Sequence, residues 1–583
     1  MTFPTEEQAN YIKSSIEKNV YLEACPGSGK TEVIAAKVAN EIESWRGFPG
    51  GIAVLSFANS AAEELRIRLI KYIGGEGVST PHWLSTIDSF IFKFIVSPVA
   101  HLFTGYAGKN NDLRVRIVDG STSIFYRTKY ALERTKISAN QYDFDTSLGR
   151  FLFKTGIAAL DRKLNSLVLL DWQFKDLLDT KKRFWAAGYA TYRDIELLAV
   201  QVLTDARTRE YCERIALRFP CLVVDECQDL SIEQLNIFEG LHRYGVHLHF
   251  VGDLNQSIYG FRHANPGKVK EFIGRLDFEC MPLVSNFRSS QAIVNLCCKL
   301  VPAQLVKGNV DIQSLSSYIV QYQQCPSETL PKFLELAKLY SNNVVVARGH
   351  SSLQKFCSSA SLLSNTEKLA LGCVLAAEKG SYSLRKSLEL FSRWLANNAQ
   401  YSAKPNAFYC PVDFESELAW RLFLHECLFY LKGVGASSAD QTWKVWCKLA
   451  KKALRELPAQ SFVTDEIRNF IGVMGDINLK SPAGIGDQLL SLRLSVVDLK
   501  GAGVRLATIH EIKGETHEAT MLVSSSQRGQ QSHWREWIAD KTSEAARLAY
   551  VASSRPQNLL VWSVKALKKG ESIELEKLGF VLV

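Results

Sequence analysis

A glycine-rich segment near the start of the chain, ACPGSGKT, has the residue types that bind a phosphate group. Gly27 and Gly29 would let the backbone amides curve around a phosphate, and Lys30 would place a positive charge against its outer oxygens. The Thr31 hydroxyl would be a ligand for magnesium at the start of the following helix. The segment lies between an apolar stretch and a helical run, which is the strand-to-helix context that this chemistry requires. The predicted phosphate loop consists of Ala24, Cys25, Pro26, Gly27, Ser28, Gly29, Lys30 and Thr31.

A pair of carboxylates follows a buried strand in CLVVDECQDLS, residues 221–231. Ligand-binding residues are expected at the carboxyl end of a parallel strand. Asp225 would hold Mg²⁺ through its water shell, and Glu226 would take a proton from the water that attacks the terminal phosphate. With the phosphate loop upstream, this pair predicts an enzyme that hydrolyses ATP with Mg²⁺.

Short β-branched runs alternate with helical stretches, which predicts parallel α/β sheets. The runs form one group before Asn286 and one after it. They are Ile52–Phe57, Cys221–Val224, Leu248–Val251, Val344–Ala347, Val504–Ile509 and Leu559–Val564. Two regions, from about Ile91 to Leu203 and from about Ser358 to Asp498, are rich in Leu, Ala, Lys, Arg and aromatic residues, and we expect mostly helical insertions there. The Trp and Leu stripes of the second region are expected to pack in a core.

The composition of the chain alone does not identify its function. The chain has 583 residues, of which 46% are hydrophobic and 22% charged, with a formal net charge of +9 that fits a polyanion-binding protein only weakly. Thirteen cysteines form no CxxC pair, so neither a metal site nor a disulfide framework is expected. The polar first residues and the absence of a long apolar run predict a cytoplasmic protein without a membrane span.

In the order of its motifs the chain resembles superfamily 1 helicases of the UvrD/PcrA/Rep kind. The motifs are FPTEEQ, ACPGSGKT, LSFANSAAEELRIRL, STIDSF, CLVVDECQDLS, VGDLNQSIYGFRHA, LVSNFRSS, ATIHEIKGETHEA and EAARLAYVASSRPQNLLVWS. The resemblance implies an α/β protein with two RecA-like P-loop NTPase domains, each carrying a helical insertion. The implied segments are 1–90 and 204–285 for the first domain, 91–203 for its insertion, 286–357 and 499–583 for the second domain, and 358–498 for its insertion.

The resemblance also assigns roles around the ATP. Gln8 would read the adenine edge, Phe287 would cover the adenine ring, and Gln256 would sense the terminal phosphate. Arg288 and Arg555 would reach the phosphates from the second domain, Arg555 as the arginine finger. The family's ribose-contacting glutamate has no counterpart at its usual position, so that contact stays unassigned.

The resemblance implies that the protein binds single-stranded DNA and moves along it. The residues that match DNA contacts are Phe57, Thr86, Tyr259, Phe261, Arg262, Thr508 and His510, with Lys513 and Gly514 completing their motif. Stacking of bases on aromatic rings is worth about 1–3 kcal/mol per base and tolerates any sequence. Asp88, Ser60 and Gly260 depart from the family pattern at DNA-contacting positions.

Two functions remain open at this point. One is an ATP-dependent 3′–5′ translocase or helicase of DNA repair or replication, which acts on single strands and on junctions with duplex DNA. The other is an ATP- and DNA-sensing subunit of an anti-phage defence complex of the Gabija type, with an OLD-family nuclease as its partner and little unwinding of its own.

Overall fold

The computed structural model describes residues 4–583 except for 48, 75–77, 110–111, 121, 123, 147, 259, 261–264, 354, 357–363, 378–380, 400, 405–406, 472–476, 478, 483–485, 495–503 and 569. Eighteen strands are present in this part of the chain. They are β1 Val20–Glu23, β2 Ile52–Ser56, β3 Trp83–Thr86, β4 Arg116–Ile117, β5 Tyr142–Asp145, β6 Arg150–Phe153, β7 Tyr189–Ala190, β8 Cys221–Asp225, β9 His247–Gly252, β10 Glu279–Pro282, β11 Ser317–Tyr322, β12 Asn343–Ala347, β13 Ala403–Lys404, β14 Cys410–Pro411, β15 Val504–Thr508, β16 His517–Val523, β17 Pro556–Lys565 and β18 Phe580–Leu582.

The α-helices within the described ranges connect and cover these strands. They are α1 Glu6–Ile12, α2 Lys30–Ser44, α3 Asn59–Ile73, α4 Ile87–Phe90, α5 His101–Thr104, α6 Ala158–Ser166, α7 Asp171–Ala186, α8 Tyr192–Thr204, α9 Arg209–Arg218, α10 Ile232–Arg243, α11 Pro266–Arg275, α12 Gln291–Leu300, α13 Leu330–Leu336, α14 His350–Leu353, α15 Asn365–Leu375, α16 Ser381–Ala399, α17 Glu417–Gly433, α18 Trp443–Glu456, α19 Asp465–Ile471, α20 Leu490–Arg493, α21 Trp534–Ala539, α22 Glu544–Ser553 and α23 Glu571–Leu578.

Two six-stranded parallel sheets form the centre of the molecule, as predicted. The first has the order β10-β1-β9-β8-β2-β3 and the second the order β15-β12-β16-β17-β11-β18. We call the first sheet and its helices the first lobe, and the second sheet and its helices, from α12 onward, the second lobe. Their buried, β-branched strands explain why the sequence pattern predicted parallel sheets. The α/β fold class with two RecA-like domains is therefore confirmed.

The chain passes between the lobes just after β10. Ser289 donates its hydroxyl hydrogen to the Pro556 carbonyl oxygen at 2.7 Å, and the Ser290 N–H donates to the Gln557 carbonyl oxygen at 3.0 Å. Arg288 therefore lies at the point where the chain joins the second lobe.

An insertion interrupts each lobe. The first, between β3 and β8, combines helices with two short strand pairs, β4 with β7 and β5 with β6. The second, between α14 and β15, contains in its described residues helices α15–α20 and one short pair of strands, β13 with β14. Its Trp420, Trp443 and Trp446 side chains are fully buried, so the aromatic stripes of this region form a core, as predicted.

Candidate active site

The phosphate loop joins β1 to α2 with two residues in the left-handed region. Gly27 has φ +70° and Gly29 has φ +77°, and Gly29 caps α2 without a side-chain hydrogen bond, which leaves amides at this helix end for another acceptor. A Cβ atom at Gly27 would lie 2.6 Å from the Arg288 Cβ atom. Only glycine fits there, because the second lobe approaches the loop so closely.

The two carboxylates follow β8 and face this loop. Glu226 Oε1 accepts a hydrogen bond from Lys30 Nζ at 2.9 Å, and Glu226 itself has φ +55°. Burial, with the adjacent Glu226 charge, raises the pKa of Asp225 to about 7. Burial also opposes ionisation of Glu226, but the positive charges of Lys30 and Lys513 outweigh it and lower its pKa. A phosphate that binds Lys30 would therefore compete with Glu226 for the positive charge of this side chain.

Two guanidinium groups complete the cleft from the second lobe. Arg555 is 1% exposed and donates from a terminal nitrogen to Gln256 Oε1 at 2.9 Å. Arg288 donates from Nε to Thr516 Oγ1 at 2.9 Å and from a terminal nitrogen to the Ser554 carbonyl oxygen at 3.2 Å. Burial and the neighbouring Arg555 charge lower the pKa of Arg288 to about 9, and burial lowers that of Arg555. The buried Arg555 charge and the partly buried Arg288 charge together favour an anionic ligand.

A cavity of about 870 Å³ lies between the lobes and brings most of the predicted nucleotide site together. Its lining includes the predicted residues Cys25, Pro26, Gly27, Ser28, Gly29, Lys30, Thr31, Phe57, Asp225, Glu226, Gln256, Phe287, Arg288, His510 and Arg555. Hard oxygen donors from Asp225 and Thr31 beside a glycine loop and three cations are the groups that a magnesium nucleotide requires. The residues present therefore fit Mg²⁺ and ATP.

Gln8 and Ala24 are not among the residues that line the cavity. Gln8 is 2% exposed; its Nε2 donates to the Ser28 carbonyl oxygen at 3.2 Å and its Oε1 accepts from the Thr5 N–H at 2.9 Å. The Ala24 N–H donates to the Gly252 carbonyl oxygen at 2.9 Å, which extends the sheet. In this conformation both residues support the loop from within.

The predicted DNA-contacting residues have different surroundings. Phe57 follows β2 and borders the cavity, whereas Thr86 caps α4 by accepting from the Ser89 N–H at 3.3 Å. Thr508 is 6% exposed, and His510 Nε2 lies 3.1 Å from the Ile258 carbonyl oxygen in the first lobe. The remaining three, Tyr259, Phe261 and Arg262, lie outside the described residues.

Several contacts across the cleft were not predicted. Lys513 and Asp229 form a buried ion pair, and their side chains are 8% and 1% exposed, respectively. Tyr550 donates its hydroxyl hydrogen to Asp253 Oδ2 at 3.1 Å, and the same oxygen accepts from Gln256 Nε2 at 2.8 Å. Asp229 and Lys513 belong to recognisable motifs, but no sequence signal pairs residues that are almost 300 positions apart.

Thr516 is a further site residue that the sequence did not reveal. It stands two positions after Gly514, where the family's ribose-contacting glutamate is expected, and it accepts a hydrogen bond from Arg288. Glu515, one position earlier, contacts Arg505 and lies 2.9 Å from His517 Nε2. This carboxylate is thus engaged at the edge of the site.

Comparison with known proteins identifies relatives of the chain. Residues 4–277 match the family described as UvrD/REP helicase N-terminal domain. The chain is similar to the ATP-dependent DNA helicase PcrA of Leuconostoc citreum (26% identity, 54% of this chain and 42% of the relative). It is also similar to the ATP-dependent DNA helicase Rep of Buchnera aphidicola subsp. Acyrthosiphon pisum (27%, 47% and 41%) and to srs2 of Schizosaccharomyces pombe (25%, 52% and 35%).

The matches thus span less than half the length of each of these relatives. No helix in the described parts of the chain is long and apolar enough to cross a membrane. The cleft thus brings together a glycine-rich loop, an acidic pair and two arginines, and residues 4–277 of the chain are similar to the UvrD/REP helicase N-terminal domain.

Proposed function

We propose that this chain is a cytoplasmic, ATP-dependent translocase and helicase that moves 3′ to 5′ on single-stranded DNA and acts at junctions with duplex DNA. The observation that carries the proposal is the convergence of Lys30, Glu226, Gln256, Arg288 and Arg555 on one cavity between two lobes. A site divided in this way changes shape when its ligand is bound or lost, and that change can move a strand held by both lobes. The 3′–5′ polarity is carried over from the family resemblance.

In this proposal ATP would supply the phosphoryl group and Mg²⁺ would supply positive charge beside it. Thr31 and Asp225 would be the magnesium ligands. Lys30 gives up its contact with Glu226 when a phosphate competes for it. Glu226 then loses one of the two cations that lower its pKa, which makes this carboxylate a better base for the attacking water. Arg288 and Arg555 place positive charge against the oxygens that gain negative charge during transfer.

The two six-stranded sheets support a division of the chain into two bodies. We propose that residues 1–90 and 204–285 form one moving body and that residues 286–357 and 499–583 form the other. Gln256 and Arg555, which bond across the cleft, belong to different bodies. Release of the hydrolysis products removes the anion that attracts the two arginines of the second body to the phosphate loop of the first, and loss of this attraction favours opening.

Replacement of the base tests this function directly. Glu226→Gln is expected to lower DNA-stimulated ATP hydrolysis by at least about 100-fold, because the amide cannot accept the proton. Binding of a fluorescent ATP analogue should persist. The control is Glu210→Gln on α9, which makes the same chemical change at a side chain that is 88% exposed. Hydrolysis that survives in Glu226→Gln, or in Lys30→Ala, would overturn the site assignment.

A second candidate is a DNA-sensing subunit that works with a nuclease in an anti-phage complex. Asp88 favours it, because its carboxylate accepts a hydrogen bond from Gln234 at 3.3 Å and places negative charge where relatives usually have a DNA-contacting histidine. Strand displacement on duplexes with 3′ or 5′ tails separates the two candidates. Unwinding of the 3′-tailed duplex by the isolated chain supports the helicase, whereas ATP hydrolysis without unwinding supports the subunit.

A further inference from the structure

The segment that follows Gln256 is held by the second lobe through its main-chain atoms. Arg547 Nε donates to the Ser257 carbonyl oxygen at 2.7 Å, and His510 Nε2 lies 3.1 Å from the Ile258 carbonyl oxygen. Both side chains belong to the second lobe, whereas the segment belongs to the first. The path of this segment therefore depends on how the lobes are placed.

A third contact of the same kind reaches Gly260. The Gly260 N–H donates to Glu544 Oε1 at 3.2 Å. The other carboxylate oxygen of Glu544 accepts from Gln531 Nε2 at 3.0 Å, and Gln531 Oε1 accepts from Arg348 at 3.0 Å. One oxygen of Glu544 thus contacts the first lobe while the other is fixed by the second.

The approach at Gly260 is closer than a side chain would allow. A Cβ atom at this position would lie 2.8 Å from Glu544 Oε1 and 3.2 Å from the two other carboxyl atoms. At Gly274, on α11, a Cβ atom would have no heavy atom within 4 Å. The requirement for glycine at position 260 is therefore the space taken by Glu544, and an added methyl group would displace that carboxylate.

Helix α22 connects this contact to the ATP site. Glu544 is its first residue, and Arg555, which bonds Gln256, lies two residues beyond its end at Ser553. A ten-residue helix is about 15 Å long and rigid on this scale. One rigid element therefore holds Gln256 at one end and Gly260, four residues further along the same segment, at the other.

We propose that Glu544 is a positioning residue that makes ATP turnover respond to a bound DNA strand. Gly260 lies between Tyr259 and Phe261, the residues predicted to stack on bases, so a strand bound there pulls on the segment that Glu544 holds. This inference rests on the proposed function. Movement of the segment is transmitted through Glu544 and α22 to Arg555, and the guanidinium is placed correctly only when the strand is present.

The test compares ATP hydrolysis with and without a single-stranded oligonucleotide in the full chain. Glu544→Ala is expected to lose about tenfold in the DNA-stimulated rate while the rate without DNA stays within about twofold. Glu544→Gln should keep most of the stimulation, because its amide oxygen still accepts from the Gly260 N–H. Glu574→Gln, at an exposed position on α23, is the matched control.

A double-mutant cycle separates positioning from general damage. Gly260→Ala is expected to displace the carboxylate and cause a loss similar to that of Glu544→Ala, and the double variant should lose no more than either single one. Gly274→Ala should behave as wild type. Additive losses, or full DNA stimulation in Glu544→Ala, would contradict this inference but not the proposed function. A wild-type chain without DNA-stimulated turnover would contradict the proposed function and this inference together.

Discussion

Replacing Lys513 by methionine should destabilise the protein in a way that depends on pH. Lys513 Nζ contacts Asp229 Oδ2 across the cleft, and the other carboxylate oxygen of Asp229 has no hydrogen-bond partner in the described part of the chain. Methionine keeps much of the side-chain volume but removes the charge. The variant therefore leaves a carboxylate that is 1% exposed without its partner cation.

The size of the effect follows from the pKa of Asp229. Burial raises this pKa to about 6 even though Lys513 attracts the ionised form. A group whose pKa is raised by folding contributes stability at low pH that is lost as the pH rises toward the folded-state value. In the wild type this loss ends near pH 6. In the variant the pKa of Asp229 is higher, so the free energy of unfolding keeps falling by about 1.4 kcal/mol per pH unit above pH 6. At pH 8 it is about 3 kcal/mol lower than in the wild type.

Thermal unfolding at pH 5.5 and pH 8 measures this difference. A change of 1 kcal/mol shifts the Tm of a large unit by about 2–4 °C, so Lys513→Met should lose at least about 6 °C relative to wild type at pH 8 and little at pH 5.5. The double variant Asp229→Asn/Lys513→Met should lose the pH dependence, because the carboxylate is absent. An equal Tm loss at both pH values, or a double variant that keeps the pH dependence, would refute the reasoning.

Three further outcomes are expected. Gly27→Ala should raise the KM for ATP at least about tenfold, because the new Cβ atom meets Arg288 at 2.6 Å in a left-handed backbone; an unchanged KM in a steady-state ATPase assay would contradict the close approach. Thr516→Val should raise the KM about threefold while the Tm stays within about 2 °C, because Arg288 loses the acceptor of its Nε–H; Thr516→Ser should restore the wild-type value. Glu196→Gln should raise the Tm above pH 7 but not at pH 5, because burial raises the pKa of Glu196 to about 7 and the folded state loses stability as the pH rises from the unfolded-state pKa toward that value. A Tm gain of equal size at both pH values would contradict this cause.

The sequence alone determined the parts of the site that are contiguous in the chain. The phosphate loop and the acidic pair each follow an apolar run that is typical of a buried strand, and parallel strands place their carboxyl ends at one edge of a sheet. The spacing of Gly27 and Gly29 likewise specifies a backbone that only glycine adopts easily. Local pattern and local geometry coincide at these positions, so the residues could be named without a structure.

Of the four edge strands in the two described sheets, the apolar runs predicted only β15. They did not predict β3, β10 or β18, because an edge strand has one neighbour and needs no continuous apolar face. In β10 three of four residues are exposed, and β18 has only three residues. The second sheet also contains β16, which begins with the polar residues His517 and Glu518 and was missed for the same lack of pattern.

Only the tertiary structure decided which residues meet across the cleft. The bond between Gln256 and Arg555 joins positions 299 residues apart, and Asp229 and Lys513 are separated by 284 residues. Nothing in the local composition of either partner specifies the other, because such pairs form only when two separately folded sheets are brought face to face. The sequence thus named the chemical groups of this candidate site, and the packing of the two lobes decided which of them contact one another.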